Sequence, residues 1–308
     1  MTATDLPETD LTWQTFSVDV AGRTLETAVA GAHHLPVVVL HHGTPQSFLP
    51  MTSVVRAAQR VGVRLVTFSR AGYRSSARMP GRIVADVTAD VTAVLDHLGV
   101  EQAFSAGVSG GGPHALACAA LLPDRVRAAA SVCGVAPHDV PGLDFLAGMG
   151  ADNVAEFGAA VAGEGPLRAF LEAELPALAD LDAITLVAAW DTLLPAVDRA
   201  CLTGEVGAEL AAATRDALDG PVDGWLDDDL AFVLPWGFDL TSIAVPVSVW
   251  QGGQDRMVPF AHGRALSEAI PGARTHLLPD EGHLSIVVGS FEGVLRELIE
   301  IGSPAVRG

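Results

Sequence analysis

The stretch AFSAGVSGGGPHALACAALL, residues 103–122, decides the fold of this chain. Ala103–Val108 is a short apolar run that predicts a strand, and residues 113–122 predict a helix. The turn between them carries the pattern G-x-S-x-G as Gly107-Val108-Ser109-Gly110-Gly111. At such a turn the glycines allow a close backbone approach, and the helix N-terminus directs its N–H groups at developing negative charge. We therefore interpret Ser109 as a candidate nucleophile.

One alternative for these glycines is a phosphate-binding turn. A G-x-G-x-x-G frame that starts at Gly110 ends on Ala115, and no acidic residue closes the next predicted strand, Arg127–Cys133. The pattern G-x-S-x-G also occurs by chance, so the nucleophile hypothesis depends on a base and an acid elsewhere in the chain.

Two later segments supply a candidate acid and a candidate base. Asp255 follows the predicted strand Val245–Gln251, and His283 follows the predicted strand Arg274–Leu278. Open parallel sheets bind ligands just beyond the carboxyl ends of their strands. A serine nucleophile needs a base to take its proton, and the base needs a carboxylate to fix its tautomer. We therefore predict a catalytic triad of Ser109, Asp255 and His283, in the order typical of such a site.

Other histidines are weaker candidates for the base. The chain has ten histidines. His276 lies inside a predicted strand, and His262 lies in the predicted helix that follows the acid, which makes His262 the second candidate. The adjacent His41 and His42 raise the possibility of a metal site, but neighbouring residues of a strand point to opposite faces. No metal is therefore expected.

Runs rich in β-forming residues that end in turn residues predict eight strands. They are Phe16–Val20, Arg23–Ala30, Pro36–His41, Arg64–Ser69, Ala103–Val108, Arg127–Cys133, Val245–Gln251 and Arg274–Leu278. The third strand is apolar without alternation, which is typical of a parallel strand covered on both faces. Apolar stripes at helical spacing, as in residues 87–98 and 287–298, fall between strands and predict a doubly wound α/β sheet. The first two strands lack an intervening helix and predict an antiparallel edge hairpin.

The alternation of strands and helices stops for about a hundred residues in the middle of the chain. This segment is rich in Ala, Leu, Asp and Gly and predicts several helices. We name residues 136–239 the helical insert, and we predict that it caps a core formed by residues 1–135 and 240–308.

Composition excludes several classes of protein. The formal net charge is −19, which disfavours nucleic acid and anionic membranes as partners. All 18 basic residues are arginine, so no lysine is present for a Schiff base or a Walker-type ATP site. Cys118, Cys133 and Cys201 lack the spacing of a zinc site and predict free thiols in a reducing compartment.

The first residues and the apolar runs of the chain indicate the cellular location that we expect for the protein. The first residues, MTATDLPETDLTW, contain acids and no basic segment, so we expect no secretory signal. No apolar run reaches the roughly 18 residues that a membrane span needs. We expect a cytoplasmic protein that acts on a small molecule and needs no cofactor.

Two further segments carry a family resemblance. His42-Gly43-Thr44-Pro45 follows the third predicted strand, and Ser69-Arg70-Ala71-Gly72-Tyr73-Arg74-Ser75-Ser76 follows the fourth. With the triad pattern, they resemble the H-G-x-P and D-R-x-G-x-G-x-S turns of the α/β-hydrolase superfamily, and the resemblance covers almost the whole chain. It implies a mostly parallel eight-stranded sheet flanked by helices, with an inserted helical cap. The chain departs from the second pattern at Ser69 and Arg74, which bears on the shape of that loop.

The resemblance also implies roles for individual residues. The backbone N–H groups of Thr44 and Gly110 would form an oxyanion hole, and His42 would support their loop. Some members of the superfamily place the acid after the sixth strand, which falls near His138-Asp139 in this chain. The G-x-x-D-x-x-V-P context of Asp255 favours Asp255 over that alternative.

The implied function is a serine hydrolase that cleaves a small carboxylic ester through an acyl-enzyme on Ser109. Aminopeptidase or amidase activity, as in proline iminopeptidase-like members, C–C hydrolysis and haloperoxidase-like activity are alternatives with the same triad. A receptor-like ligand sensor that retains the triad is the alternative outside enzymes. Relatives that open epoxides or remove halide use aspartate as the nucleophile, so Ser109 disfavours those activities.

The aromatic side chains of the helical insert are the candidates for a substrate pocket. They are Trp190, Trp225, Trp236 and Phe238, with Phe232 beside them. This apolar lining predicts a preference for neutral, apolar acyl groups. An aminopeptidase would instead need acidic residues of the insert, such as Glu172, Glu174 or Asp191, to hold a free amino terminus.

Overall fold

A computed structural model describes residues 13–303 of the chain. Eight strands form one sheet in the order β1-β2-β4-β3-β5-β6-β7-β8. Their bounds are β1 Gln14–Val20, β2 Arg23–Ala30, β3 Val37–His41, β4 Arg64–Phe68, β5 Ala103–Val108, β6 Val126–Val132, β7 Val247–Gly252 and β8 Arg274–Leu278. All eight predicted strands are confirmed, with small differences at their ends. The acidic start of the chain, which motivated the expectation about secretion, lies outside the described residues.

Strand directions follow the prediction. β2 runs antiparallel to both of its neighbours, β1 and β4, and every other neighbouring pair is parallel. Val39 of β3 pairs with Val66 of β4 on one side and with Ser105 of β5 on the other. Because these strands are parallel, the loops that follow β3, β5, β7 and β8 leave the sheet at the same edge.

Helices connect the strands and cover both faces of the sheet. The helices outside the insert are α1 Thr52–Val61, α2 Val87–His97, α3 Gly111–Leu121, α10 Phe260–Ala269 and α11 His283–Ile301. α1 and α11 pack with Val38 and Leu40 of β3 in one hydrophobic cluster, whereas α2, α3 and α10 pack with Val39 in the other. Successive residues of a strand point to opposite faces, so the two clusters explain why all of β3 is buried. The structure thus has the α/β-hydrolase fold that the sequence predicts.

The helical insert lies between β6 and β7. Its helices are α4 Ala151–Ala162, α5 Glu164–Ala179, α6 Ala183–Ala189, α7 Ala196–Cys201, α8 Glu205–Ala217 and α9 Asp223–Val233. Leu167, Leu171 and Leu226 are fully buried and belong to the same hydrophobic cluster as one face of the sheet. The insert is therefore packed onto the sheet by apolar contact. Within residues 13–303, no helix is long and apolar enough to cross a membrane.

Candidate active site

Ser109 stands at the turn from β5 into α3. Its φ is +54°, in the left-handed region that non-glycine residues rarely adopt, so the turn holds the serine in a strained conformation. A Cβ atom on Gly107 would lie 2.0 Å from the carbonyl oxygen of Gly111, and one on Gly111 would lie 2.2 Å from that of His41. Both glycines of the predicted motif are therefore required by close backbone approach.

Asp255 and His283 are in direct contact. Asp255 lies in the loop after β7, and His283 is the first residue of α11. His283 Nδ1 donates to Asp255 Oδ2 at 2.8 Å, and the two side chains are 4% and 0% exposed. The bond leaves Nε2 of His283 for a substrate or nucleophile, which is the arrangement that a general base requires.

The Asp255 carboxylate is fixed from all sides. Its Oδ1 accepts the backbone N–H groups of Met257 and Val258, both at 2.8 Å. Its Oδ2 accepts Gln251 Nε2 at 3.0 Å as well as His283. These four bonds compensate for burial of the charge and orient the oxygen that faces the imidazole.

The surroundings of His283 favour its protonated form. Burial lowers the pKa of His283, but the negative charge and hydrogen bond of Asp255 outweigh burial, and Asp198 adds to their effect. The pKa of His283 therefore lies above the ordinary imidazole value. The site stabilises the imidazolium that forms when a base accepts a proton.

Thr44 and Gly110 lie side by side next to Ser109. A Cβ atom on Gly110 would lie 2.4 Å from Thr44 Oγ1, and one on Gly43 would lie 3.5 Å from Ser109 Cβ. Among the described residues, no acceptor is paired with the backbone N–H of Thr44 or Gly110. Two free amides beside a nucleophile can bind an oxyanion, as the family resemblance implies.

Arg70 holds the loop that carries Thr44. Its guanidinium donates to the carbonyl oxygens of His42 at 2.5 Å and Gly43 at 3.0 Å, and to Thr44 Oγ1 at 3.0 Å. Its backbone N–H donates to His42 Nε2 at 3.1 Å. The turn after β4 is thus a structural support for the loop after β3, and His42 is part of that support.

Asp228 of α9 completes this support. It accepts three hydrogen bonds from Arg70, the shortest at 2.5 Å, and it lies 2.7 Å from Arg82. Thr44 Oγ1 and the Tyr73 hydroxyl donate to it at 2.7 and 2.9 Å. Burial alone would raise the pKa of Asp228, but the guanidinium groups of Arg70 and Arg82 hold that pKa well below its usual range. A buried ion network therefore joins the helical insert to the loop of Thr44.

The departures from the family pattern in this turn have visible consequences. Arg74 adopts φ +47° at the position where the pattern has glycine. Its guanidinium lies 3.1 Å from Glu26 and also contacts Asp216 of the insert. Ser69, at the position of the usual aspartate, donates to Glu26 at 3.0 Å. Glu26 of β2 therefore contacts both of the residues that depart from the family pattern.

The other candidate acids and bases lie elsewhere. Asp139 is exposed. His262 is fully buried; its Nδ1 accepts the N–H of Ala136 at 3.1 Å, and its Nε2 donates to the carbonyl oxygen of Phe145 at 2.9 Å. His276 bonds Glu297 at 2.8 Å. Both ring nitrogens of His262 are occupied by backbone, so it is a structural residue.

One cluster of three potential metal ligands occurs in the described part of the chain, and it contains the candidate acid and base. The third member is Cys133, whose Sγ donates to the carbonyl oxygen of His283 at 3.7 Å. Burial raises the pKa of the Cys133 thiol well above its usual range, so the thiol is neutral and a poor metal ligand. The contact between His283 and Asp255 explains the cluster without a metal.

Two cavities meet at Ser109. The first, of about 90 Å³, is lined by His283, Ser109 and the apolar loop after β3. The second, of about 250 Å³, extends from Ser109 and Gly110 into the helical insert. Trp190 lines both cavities.

Some of the predicted pocket residues line a cavity in the structure, and others do not. Trp190, Trp225 and Phe232 line the second cavity. Trp236 and Phe238 are not among the described residues that line either cavity. Trp236 is 3% exposed, packs against Phe238 with ring centroids 5.8 Å apart and donates to the carbonyl oxygen of Phe232. The structure therefore places Trp236 and Phe238 against each other and outside the lining of both cavities.

Acidic residues of the insert are the main feature that sequence reasoning missed. Asp198 contacts the residue that begins α11, Asp228 supports the Thr44 loop, and Asp229 lines the second cavity. Of the acids named in advance, Glu174 lines the same cavity, whereas Glu172 and Asp191 are exposed and pair with Arg168 and Arg199. No motif marks these residues, and only the packing of the helices brings them to the site.

Comparison with known proteins agrees with the fold. The sequence matches the family model of the α/β hydrolase fold over residues 36–171. Epoxide hydrolase B of Mycobacterium tuberculosis is 37% identical over 93 residues, which are 29% of this chain and 26% of that protein. The match therefore spans only about a quarter of that relative.

Solved structures resemble the chain over almost its whole length. The enol-lactonase from Burkholderia xenovorans LB400 has a TM-score of 0.65 at 21% identity, covering 92% of this chain and 99% of that one. The esterase RhEst1 from Rhodococcus sp. ECU1013 has a TM-score of 0.65 at 22% identity, covering 94% and 99%. At this identity the likeness concerns the fold. The chain therefore has the α/β-hydrolase fold, and its residues 36–171 match the family model of that fold.

Proposed function

We propose that this chain is a serine hydrolase that cleaves a small carboxylic ester through an acyl-enzyme on Ser109. The observation that carries the proposal is the 2.8 Å contact of His283 with Asp255 in the cavity that Ser109 also lines. Ser109 sits at a strained turn, and two free amides lie beside it. A nucleophile, an oriented base and oxyanion donors are the parts that acyl transfer needs.

The mechanism follows from these positions. Ser109 Oγ attacks the acyl carbonyl while His283 Nε2 takes its proton. The N–H groups of Thr44 and Gly110 receive the oxyanion, and Asp255 stabilises the imidazolium. His283 then protonates the leaving group, which departs with its bonding electrons. Water, deprotonated by His283, attacks the acyl-enzyme, and Ser109 regains its proton.

The position of His283 supports one orientation of the substrate. His283 lines the first cavity and not the second. Because His283 must protonate the leaving group, the leaving group belongs in the first cavity and the acyl group in the second. The helical insert, residues 136–239, then acts as the cap that supplies most of the acyl pocket.

Labelling and turnover test the proposal. A fluorophosphonate probe is expected to add one adduct mass, mapped to Ser109, and Ser109→Ala should lose the adduct and on the order of 10³-fold or more of the turnover of p-nitrophenyl acetate. Ser75→Ala, at an exposed serine, is the matched control and should keep both. Labelling of another serine, or an active Ser109→Ala enzyme, would refute the proposal. A burst of one equivalent followed by almost no turnover would favour the ligand sensor.

A further inference from the structure

The lining of the second cavity includes four acidic residues, which we call the acidic wall: Asp152, Glu156, Glu174 and Asp229. Its other lining residues are largely apolar and aromatic, with Phe157, Phe170, Trp190, Trp225 and Phe232 among them. No arginine or histidine is among the described residues that line it. The cavity therefore offers negative charge beside apolar walls and repels anions.

Asp229 is the unusual member of this wall. It is 1% exposed, and among the described residues no N–H or hydroxyl group donates to its carboxylate oxygens; its hydrogen-bonding contact is with the carboxyl group of Glu156. The residues that precede it on α9 are different: Asp227 is paired with Arg78 at 2.8 Å, and Asp228 is paired with Arg70 and Arg82. A buried carboxylate without donors is costly, so the position of Asp229 calls for a cationic partner or a proton.

Glu156 of α4 is the acidic neighbour of Asp229. Its Oε1 accepts Trp225 Nε1 at 2.8 Å, which directs the carboxyl group into the cavity. Burial and the charge of Glu156 raise the pKa of Asp229 well above its usual range, and burial also raises the pKa of Glu156. Two carboxyl groups in contact repel each other when both are ionised, so the pair favours a shared proton or a bound cation. Arg82 is already engaged by Asp228 at 2.7 Å.

We propose that Glu156 and Asp229 form a binding site for the ammonium group of the acyl part of the substrate. A buried carboxyl pair beside apolar and aromatic walls matches an organic cation. The aromatic walls fit the carbon chain between the ammonium and the carbonyl, and their π-faces attract the cation. The substrate class is then an ester or amide of an amino acid or another short amine-bearing acid. This class replaces the expectation of a preference for neutral acyl groups. The assignment of the acyl group to this cavity rests on the proposed function, whereas the ammonium site itself does not.

A binding experiment tests the site without turnover. The probes are benzylamine, which is charged at pH 7.5, and benzyl alcohol, its neutral counterpart of similar shape. Quenching of tryptophan fluorescence reports binding, because Trp190 and Trp225 line the cavity. The intact chain should bind benzylamine about tenfold more tightly than benzyl alcohol, the ratio expected for one buried charge-assisted contact. Asp229→Asn, and independently Glu156→Gln, should remove that preference.

Matched controls separate the outcomes. Glu172→Gln removes one exposed charge from the same insert and should keep the preference for benzylamine. Equal affinity for the two probes in the intact chain, or the same loss in Glu172→Gln as in Asp229→Asn, would overturn the ammonium site. Benzylamine binding without fluorophosphonate labelling of Ser109 would leave the site standing and refute the proposed reaction. Fluorophosphonate labelling of Ser109 without a preference for benzylamine would refute the ammonium site and leave the proposed reaction standing.

Discussion

The carboxylate of Asp198, on α7 of the helical insert, accepts the backbone N–H of His283 at 2.8 Å. It also accepts the N–H groups of Leu284 and Ser285, both at 2.9 Å, and it is fully buried. The first amides of a helix have no partner within the helix, and here an acid of the insert satisfies them. The helix that begins with the candidate base is therefore held by the insert.

Asp198→Asn tests whether this contact tunes the base. The negative charge of Asp198 contributes to the raised pKa of His283, so its removal should lower that pKa. Because the base must be neutral, the acidic limb of kcat/KM should move to lower pH, and kcat should fall as the helix start loosens. Asp191→Asn, at an exposed acid of the insert, is the control and should leave the limb in place. An unmoved limb in Asp198→Asn would mean that Asp198 has a purely structural role.

The pH dependence of the intact enzyme tests His283 itself. Its pKa is raised above the ordinary imidazole value of about 6.5 by Asp255 and Asp198, in spite of burial. The rate should therefore rise with pH through a single limb above about 6.5 and then level off. His283→Ala should remove both the limb and the activity, as measured with a neutral ester between pH 5 and 9. Activity that survives with the same limb would place the base at another residue.

Asp255→Asn tests the acid of the triad. An amide in this position favours the wrong imidazole tautomer, so kcat should fall by about 10⁴-fold while the fold is kept. Asp139→Asn removes an exposed acid after β6 and should change kcat by less than about twofold, as exposed substitutions usually do. Circular dichroism controls for folding. A larger loss in Asp139→Asn than in Asp255→Asn would place the acid after the sixth strand.

Two neighbouring residues of α9 should respond to neutralisation with opposite signs. Asp228 is paired with Arg70 and Arg82, so Asp228→Asn should destabilise the protein by about 3–5 kcal/mol by leaving buried cations unpaired. Asp229 has no basic partner and lies against the acidic Glu156, so Asp229→Asn should stabilise the protein at neutral pH, on the order of 1–3 kcal/mol. Urea unfolding measures both. Losses of similar size in the two variants would contradict the difference in pairing.

The increase in stability expected for Asp229→Asn should depend on pH. The pKa of Asp229 is higher in the folded chain than in the unfolded chain, because of burial and Glu156. Between the two pKa values the folded state binds more protons, so the stability of the unsubstituted protein falls as pH rises through this range. Asp229→Asn should remove that fall, and its advantage should vanish below about pH 4, where the carboxyl is protonated in both states. An advantage that is constant from pH 4 to 8 would show that proton binding is not its cause.

The sequence contains enough local information to predict the sheet and the contact between Asp255 and His283. Strands such as β3 are recognised from their own apolar runs, and Ser109, Asp255 and His283 each follow a strand in a motif of adjacent residues. The acids of the insert could not be predicted in this way. Asp227, Asp228 and Asp229 are identical and consecutive, yet two are paired with arginines distant in sequence and one faces a cavity.

The aromatic residues show the same limit. Trp190 lines both cavities, whereas Trp236 is packed against Phe238, and nothing in the neighbouring sequence distinguishes them. Contacts with distant segments decide where an aromatic side chain is buried. Composition alone therefore predicts that such a side chain is buried, but not whether it lines a cavity or packs in the core.

The network around Asp228 also constrains how substrates reach Ser109. Lifting the insert as one rigid lid would separate Asp228 from Arg70 and break a buried ion pair. It would also remove the Asp198 carboxylate from the backbone N–H of His283. We therefore expect substrates to enter and leave by a local rearrangement within the insert, while α7 and α9 keep these contacts.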